Sequence, residues 1–120
     1  MTFNEKYKDN ALLMKTFQFA LKIIDYAEEL QEKKKFVIAN QLLKSGTSIG
    51  ANSKESQNAE SKADFIHKLK IAMKEADETE YWLFLCDEHK LYPDCKILLN
   101  DLSEIIRILN KIISTTKLKK

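Results

Sequence analysis

The chain predicts an all-α protein, an antiparallel up-down-up-down four-helix bundle that assembles into an oligomer. Three observations carry this. The 120 residues include one proline and two glycines, where average usage would supply about 6 and 8, and strands cannot turn without such residues. Apolar residues recur at alternating steps of four and three along four stretches. Short polar connections separate those stretches, which makes successive helices antiparallel neighbours in a single domain.

The first stretch covers roughly residues 9–33. Leu13, Phe17, Ala20, Ile24 and Ala27 mark one helix face, and Leu12, Thr16, Phe19, Ile23, Tyr26 and Leu30 mark a second stripe beside it. Two adjacent stripes make an apolar face broader than a two-stranded coiled coil needs. The charged run 31–35, QEKKK, ends it. In the second helix Ile38, Leu42, Ser45, Ile49, Asn52 and Ser56 keep the period straight through Gly46 and Gly50. The third opens at Ser61-Lys62-Ala63-Asp64, a capping box with Asp in place of Glu. Phe65, Leu69, Ala72, Ala76, Thr79, Leu83 and Cys86 continue it. "KLYPD" at 90–94 is the clearest break, with Pro93 suited to the first turn of a new helix. Cys95, Leu99, Leu102, Ile106, Leu109, Ile113 and Thr116 define the fourth.

The stretch LLKSGTSIGANSKESQ, residues 42–57, holds both glycines. It is not a phosphate-binding loop: the glycines are four apart, no Gly-Lys-Ser/Thr follows, and no strand precedes. Gly46 and Gly50 lie one helical turn apart, which lets a facing backbone approach closely. Ser45, Ser48, Asn52 and Glu55 form a polar stripe whose buried groups need partners, with Glu78 and Thr79 as candidates. This stripe reads as a register-fixing structural network.

Other chemistry is poorly represented. Glu75, Asp77, Glu78 and Glu80 lack the paired Glu-x-x-His motifs of a bundle diiron site, and Asp64-x-x-His67 occurs once. They read as a solvated acidic face, and a metal-dependent enzyme in the core is the weakest alternative. Cys86-x-x-His89 with Cys95 offers three ligands where a structural zinc takes four. Neither histidine has a nucleophile and an orienting partner. No metal, cofactor or small-molecule substrate is expected. No apolar run approaches the ~20 residues that span a bilayer, and two cysteines without a secretory leader suit a reducing cytoplasm.

Net charge is +2, distributed as +4 over residues 1–74, −5 over 75–116 and +3 over the tail. The basic residues are 19 Lys and one Arg, Arg107, so sequence-specific base reading, which favours the arginine fork, is not expected. Lys33, Lys34 and Lys35 gather at one pole of the bundle. Lys117, Lys119 and Lys120 gather at the other, near Lys6 and Lys8. Repeated by symmetry, either cluster becomes a basic ring that attracts phosphates non-specifically. Residues 81–86, YWLFLC, are apolar all round the helix, and Leu98, Ile105, Ile108 and Ile112 lie off the main stripe of the fourth helix. Tyr81, Trp82, Phe84, Leu98, Ile105 and Ile112 are therefore candidates for a homo-oligomer interface.

Gln41-Leu42-Leu43, Ser45 to Asn52 with Glu55, Asp64-Phe65-Ile66, Lys74-Glu75-Ala76, Glu78-Thr79 and Tyr81-Trp82-Leu83 occur together here. With that combination the chain resembles small bacterial four-helix bundle proteins related to those encoded by intervening sequences in 23S ribosomal RNA genes. The helix pattern extends the resemblance over nearly the whole chain. Ser56 stands where the family often has Gly or Ala. The resemblance implies an antiparallel bundle forming a homo-oligomer, a pentamer, with no enzyme activity and no cofactor. Some relatives are basic accessory proteins of retroelements, associated with nucleic acid and a reverse transcriptase, which implies RNA or DNA as partner. A protein–protein scaffold with no nucleic-acid role is the alternative.

Overall fold

The computed structural model describes residues 1–119. It contains a short helix α1 (Phe3–Tyr7) and four long ones, α2 (Ala11–Glu32), α3 (Phe36–Ser56), α4 (Lys62–Glu88) and α5 (Lys96–Leu118). The long helices pack antiparallel in a body of 50 × 31 × 20 Å, and α3 makes the most extensive interfaces, with α2 on one side and α4 on the other.

Local chemistry sets the boundaries. Thr2 Oγ1 accepts the Glu5 N–H at the start of α1, a turn that the apolar period did not reveal. Asn10 Oδ1 accepts the Leu13 N–H at 3.0 Å to open α2. Ser61 Oγ accepts the Asp64 N–H at 3.0 Å, as a capping box requires, but the Asp64 carboxylate reaches back to the N–H of Glu60 at 3.1 Å instead of that of Ser61. Pro93 is not in the first turn of α5. It lies in the connection, and the helix starts at Lys96 with Cys95 as N-cap, because Asp94 Oδ1 accepts the Lys96 N–H and ends the link there.

The α2–α3 connection is a Schellman closure. The N–H of Lys35 donates to the Leu30 carbonyl at 2.8 Å and that of Lys34 to the Gln31 carbonyl at 2.9 Å. Lys34 sits at φ 63°, the left-handed position that glycine usually fills.

Burial corrects the expected helix faces. In α2 both stripes contribute to the core, the second entirely: Leu12, Thr16, Phe19, Ile23, Tyr26 and Leu30 are buried, and from the first stripe Leu13 and Ala27 are buried, Phe17 and Ala20 half-buried and Ile24 exposed. The reason lies on α3. Gly46 and Gly50 form a notch that receives Ile23 and Thr16 respectively, so the second stripe docks. In α5 the buried set is Leu98, Leu102, Ile105, Leu109 and Ile113. Leu98 and Ile105 belong to the core of the single chain and are not available to an oligomer interface. Among the described residues, no helix is long and apolar enough to cross a membrane.

Candidate functional site

The polar stripe divides on inspection. Ser45 and Thr79 are buried and meet across the α3–α4 interface, Thr79 Oγ1 lying 2.9 Å from Ser45 Oγ. Thr79 Oγ1 is also 2.7 Å from the Glu75 carbonyl and Ser45 Oγ 3.0 Å from the Gln41 carbonyl. Each hydroxyl has one proton to give, and both are satisfied without a ligand. Ser48 donates to the Lys44 carbonyl and Asn52 Nδ2 to the Ser48 carbonyl, so these half-buried groups serve their own helix. Glu55 is exposed and pairs with Lys68 at 3.8 Å. Glu78 is exposed too, and is not the buried partner expected of it. The remaining buried polar groups of the helix are Ser53 and Ser56, one position round from that stripe. Ser56 donates to the Ser53 carbonyl at 2.6 Å in full enclosure, which explains a small residue there.

The acidic run on α4 does not converge. Asp77 and Glu78 are exposed, and Glu75 and Glu80 are half-buried. Partial burial, then the charge of Glu78, raises the Glu75 pKa against the opposing pull of Lys44 and Lys74. Among the described residues no three His, Cys, Asp or Glu side chains are arranged to hold a metal ion. His89 instead accepts the Leu91 N–H through Nδ1. Cys86 and Cys95 are buried free thiols beside the Tyr26 hydroxyl, which itself donates to the Pro93 carbonyl at 2.8 Å. Burial raises both thiol pKa values, that of Cys95 to about 11, which makes them poor nucleophiles.

The lysine clusters differ between poles. At the α2–α3 and α4–α5 turns, Lys33, Lys34, Lys35, Lys90 and Lys96 share the pole with Glu29, Glu32, Asp87, Glu88 and Asp94, while the opposite pole holds Glu5, Asp9, Glu55, Glu60 and Asp64 beside its own lysines. Lys96 pairs with Asp87 at 2.9 Å, and Lys35 lies 4.9 Å from the centre of the Tyr92 ring, clamping the two turns together. The opposite pole gathers the starts of α2 and α4 with the ends of α3 and α5, as the Asn10–Gln57 contact and the Lys62 Nζ bond to the Lys119 carbonyl demonstrate. Here the Lys117 ammonium sits against that of Lys70, which holds its pKa below the usual lysine value. Among the described residues, no carboxylate lies within 4 Å of the Lys62, Lys70, Lys117 or Lys119 ammonium groups. Periodicity could not find Lys62 and Lys70, which join Lys117 and Lys119 only through the antiparallel register of α4 and α5. Lys120 lies outside the described residues.

An apolar surface remains on α4. Leu83 and Cys86 enter the core, Trp82 is half-buried with its Nε1–H lacking an acceptor, and Tyr81, Phe84 and Leu85 are exposed. Ile112 packs on the core from α5 while remaining partly accessible.

A bundle of four long antiparallel helices, sealed by a small-residue notch and without a converged catalytic set among the described residues, defines a class of small helical-bundle proteins. Within that class, residues 8–111 match the family described as 23S rRNA-intervening sequence protein, and the chain belongs to this family. It is also similar to a crystal structure of a protein of unknown function from the S23 ribosomal protein family of Bacteroides thetaiotaomicron. Identity is 44%, over 86% of this chain and 98% of that one, with a TM-score of 0.82. A search of curated proteins finds no match.

Proposed function

We propose that the protein is a non-enzymatic binding module that assembles with itself and holds nucleic-acid backbone through lysines at one pole. The observation that carries the reading is the juxtaposition of Lys70 and Lys117, flanked by Lys62 and Lys119, without a neutralising carboxylate among the described residues. Like charges held together are relieved by a bridging anion, and a phosphate diester is such an anion. At the other pole Lys35 is engaged with the Tyr92 ring and Lys96 with Asp87, and that pole contributes less to this reading.

Self-association uses the α4 face of Tyr81, Trp82 and Phe84, with Ile112 accessible on α5. Apolar groups of this size left on one face mark an interaction surface. Family resemblance makes a pentamer the expected assembly, and closed symmetry would repeat the lysine cluster around one rim.

Anisotropy of a labelled structured RNA tests the first part between about 50 and 200 mM salt. Affinity is expected to fall steeply, and Lys70→Gln with Lys117→Gln to flatten the log–log slope by about 1–2. No binding at the lowest salt, or a slope that the double substitution leaves unchanged, overturns the reading. Light scattering tests the second: Phe84→Glu should lower the mass, and a monomeric wild type refutes it.

A further inference from the structure

A cleft of about 280 Å³ opens between α2 and α3 on the outer side of the glycine notch. Its walls are Leu13, Phe17, Ala20, Thr47 and Ala51, with Gly50 in its floor. The two threonines that border it have committed their hydroxyls elsewhere: Thr16 Oγ1 donates to the Leu12 carbonyl at 2.8 Å and Thr47 Oγ1 to the Leu43 carbonyl at 2.5 Å. The lining is therefore almost free of unsatisfied polar groups. Helix α1 roofs one side, the Phe3 ring stacking on Phe17 with centroids 4.0 Å apart and planes 7° from parallel.

One charge lines the cleft, Lys54. No carboxylate among the described residues lies within ion-pair distance of it, its neighbour Glu55 being paired with Lys68. Its ammonium rests 6.0 Å from the centre of the Tyr7 ring instead. The second glycine acquires a distinct meaning here. A Cβ on Gly46 would meet Ile23 at 2.9 Å, so packing alone accounts for that glycine. At Gly50 a Cβ would press on Thr16 at 3.3 Å, a looser but still tight fit, and the residue also lies on the cleft surface.

We propose that this cleft binds a small apolar carboxylate, its hydrocarbon body lying over Gly50 beside Phe17 and Phe3 and its carboxylate meeting Lys54. The volume, about 280 Å³, lies just below the range of drug-sized ligand clefts, ~300–1,000 Å³, which suits a bicyclic aromatic acid or a medium-chain alkyl acid. Neutral apolar molecules lack a partner for Lys54, and cations meet its repulsion. Because Lys54 also faces Tyr7, the bound acid and α1 share one ammonium.

Calorimetric titration of the intact chain with 1-naphthoate and with decanoate tests this, with methyl NMR shifts recorded in parallel. Saturable binding of one molecule per chain is expected, with a Kd on the order of 10⁻⁵–10⁻³ M for so small a ligand. Shifts should be confined to α1 and the residues around 13–20 and 47–54, and the tighter of the two acids tells whether an aromatic or an acyl source fits. Ala51→Phe fills the cleft from an exposed helix position and should weaken both acids at least tenfold while circular dichroism stays helical. Lys54→Ala should weaken naphthoate about fivefold, the scale of an exposed charge pair, and leave 1-naphthalenemethanol unchanged. No saturation by either acid up to about 10 mM, tenfold beyond the weak end of that Kd range, overturns the proposal. So does binding indifferent to Ala51→Phe, or equal loss for acid and alcohol in Lys54→Ala.

Discussion

Replacing Gly46 by alanine separates two effects of opposite sign. An alanine inside a helix gains about 1 kcal/mol over glycine from propensity. The new Cβ, however, would stand 2.9 Å from both Cγ1 and Cγ2 of Ile23 and 3.3 Å from its Cδ1. Carbon pairs are comfortable at ~3.5–4.0 Å, so α2 and α3 must separate by roughly half an ångström or more. Ile23 is fully buried, and its β-branched side chain has one favoured rotamer in a helix, so it cannot swing aside. Overpacking of this kind costs about 1–3 kcal/mol, and the net expectation is destabilisation by ~0–2 kcal/mol. Gly50→Ala meets Thr16 only at 3.3 Å in a half-buried position, and should come out within about 0.5 kcal/mol of wild type as propensity offsets the contact. Urea denaturation followed at 222 nm, at one fixed protein concentration, measures both. A partner substitution sharpens the test. Ile23→Ala removes both clashing carbons, so the pair with Gly46→Ala should recover at least about 1 kcal/mol relative to additivity. Ile23→Val keeps two γ-carbons and should recover nothing. A Gly46→Ala protein more stable than wild type, or a cycle with no coupling, would refute the notch as the reason for that glycine.

Three further outcomes are expected. Lys34→Gly removes a left-handed non-glycine residue from the Schellman closure, a conformation costing roughly 1–2 kcal/mol. After the entropy that glycine adds to the unfolded chain, the melting temperature should rise modestly, and a fall would contradict the closure. Tyr26→Phe deletes the bond to the Pro93 carbonyl and should cost about 1 kcal/mol by denaturant titration, with no cost implying that the link is not held there. Stability should also decline in alkali. The Cys95 pKa rises from 9.0 to about 11 on folding, so between those values the unfolded chain releases the proton while the native one keeps it, and stability falls as pH rises. Tyr26, raised from 10.0 by burial, adds the same sign at higher pH, whereas exposed Lys117, whose pKa is lowered, works weakly against it. Urea midpoints at pH 8 and 10.5 measure the fall, and Cys95→Ala should flatten it. In the same experiments the thiols should resist a disulfide reagent at pH 8 until urea exposes them.

Helix positions were legible in the sequence because four heptad patterns and their polar breaks survive without tertiary information. The choice of face was not. In α2 both stripes are apolar and both reach the core, Leu13 and Ala27 with the whole second stripe; what centres the helix on Thr16 and Ile23 is the pair of glycines on another helix. In α5, Leu102, Leu109 and Ile113 are buried as the period requires, but at two turns the core takes Leu98 and Ile105 in place of Leu99 and Ile106, which are half-buried. Pro93 misled for a local reason, since Asp94 supplies the stop and delays the helix to Lys96. The Ser45–Thr79 contact could be anticipated from spacing. Ser56 also lay on the periodic face and is buried; Ser53 did not, and its burial depends on how α3 rotates against its neighbours. Helix α1 was invisible to periodicity, being five residues long, although Thr2 three residues before Glu5 is a capping signal on a small scale.

The two poles also explain how an almost neutral chain can present a charged surface. Net charge of +2 predicts little, and the sequence-level surplus of +4 in the first 74 residues lies in segments that the fold then distributes to both ends. Folding brings Lys33–Lys35 to the end that holds Asp87, Glu88 and Asp94, where Lys96 and Asp87 form an ion pair. It brings Lys62 and Lys70 to the end that holds Lys117 and Lys119 together with Glu60 and Asp64, and there the Lys70 and Lys117 ammonium groups stand against each other. A chain threaded with the same helices in another order would balance differently, so the lysine rim is a property of the antiparallel topology as much as of composition. Field strength at such a rim depends on local density and not on the sum over the molecule. Removing Lys70 or Lys117 should therefore change salt-dependent binding far more than removing Lys33, although each substitution alters net charge by the same amount.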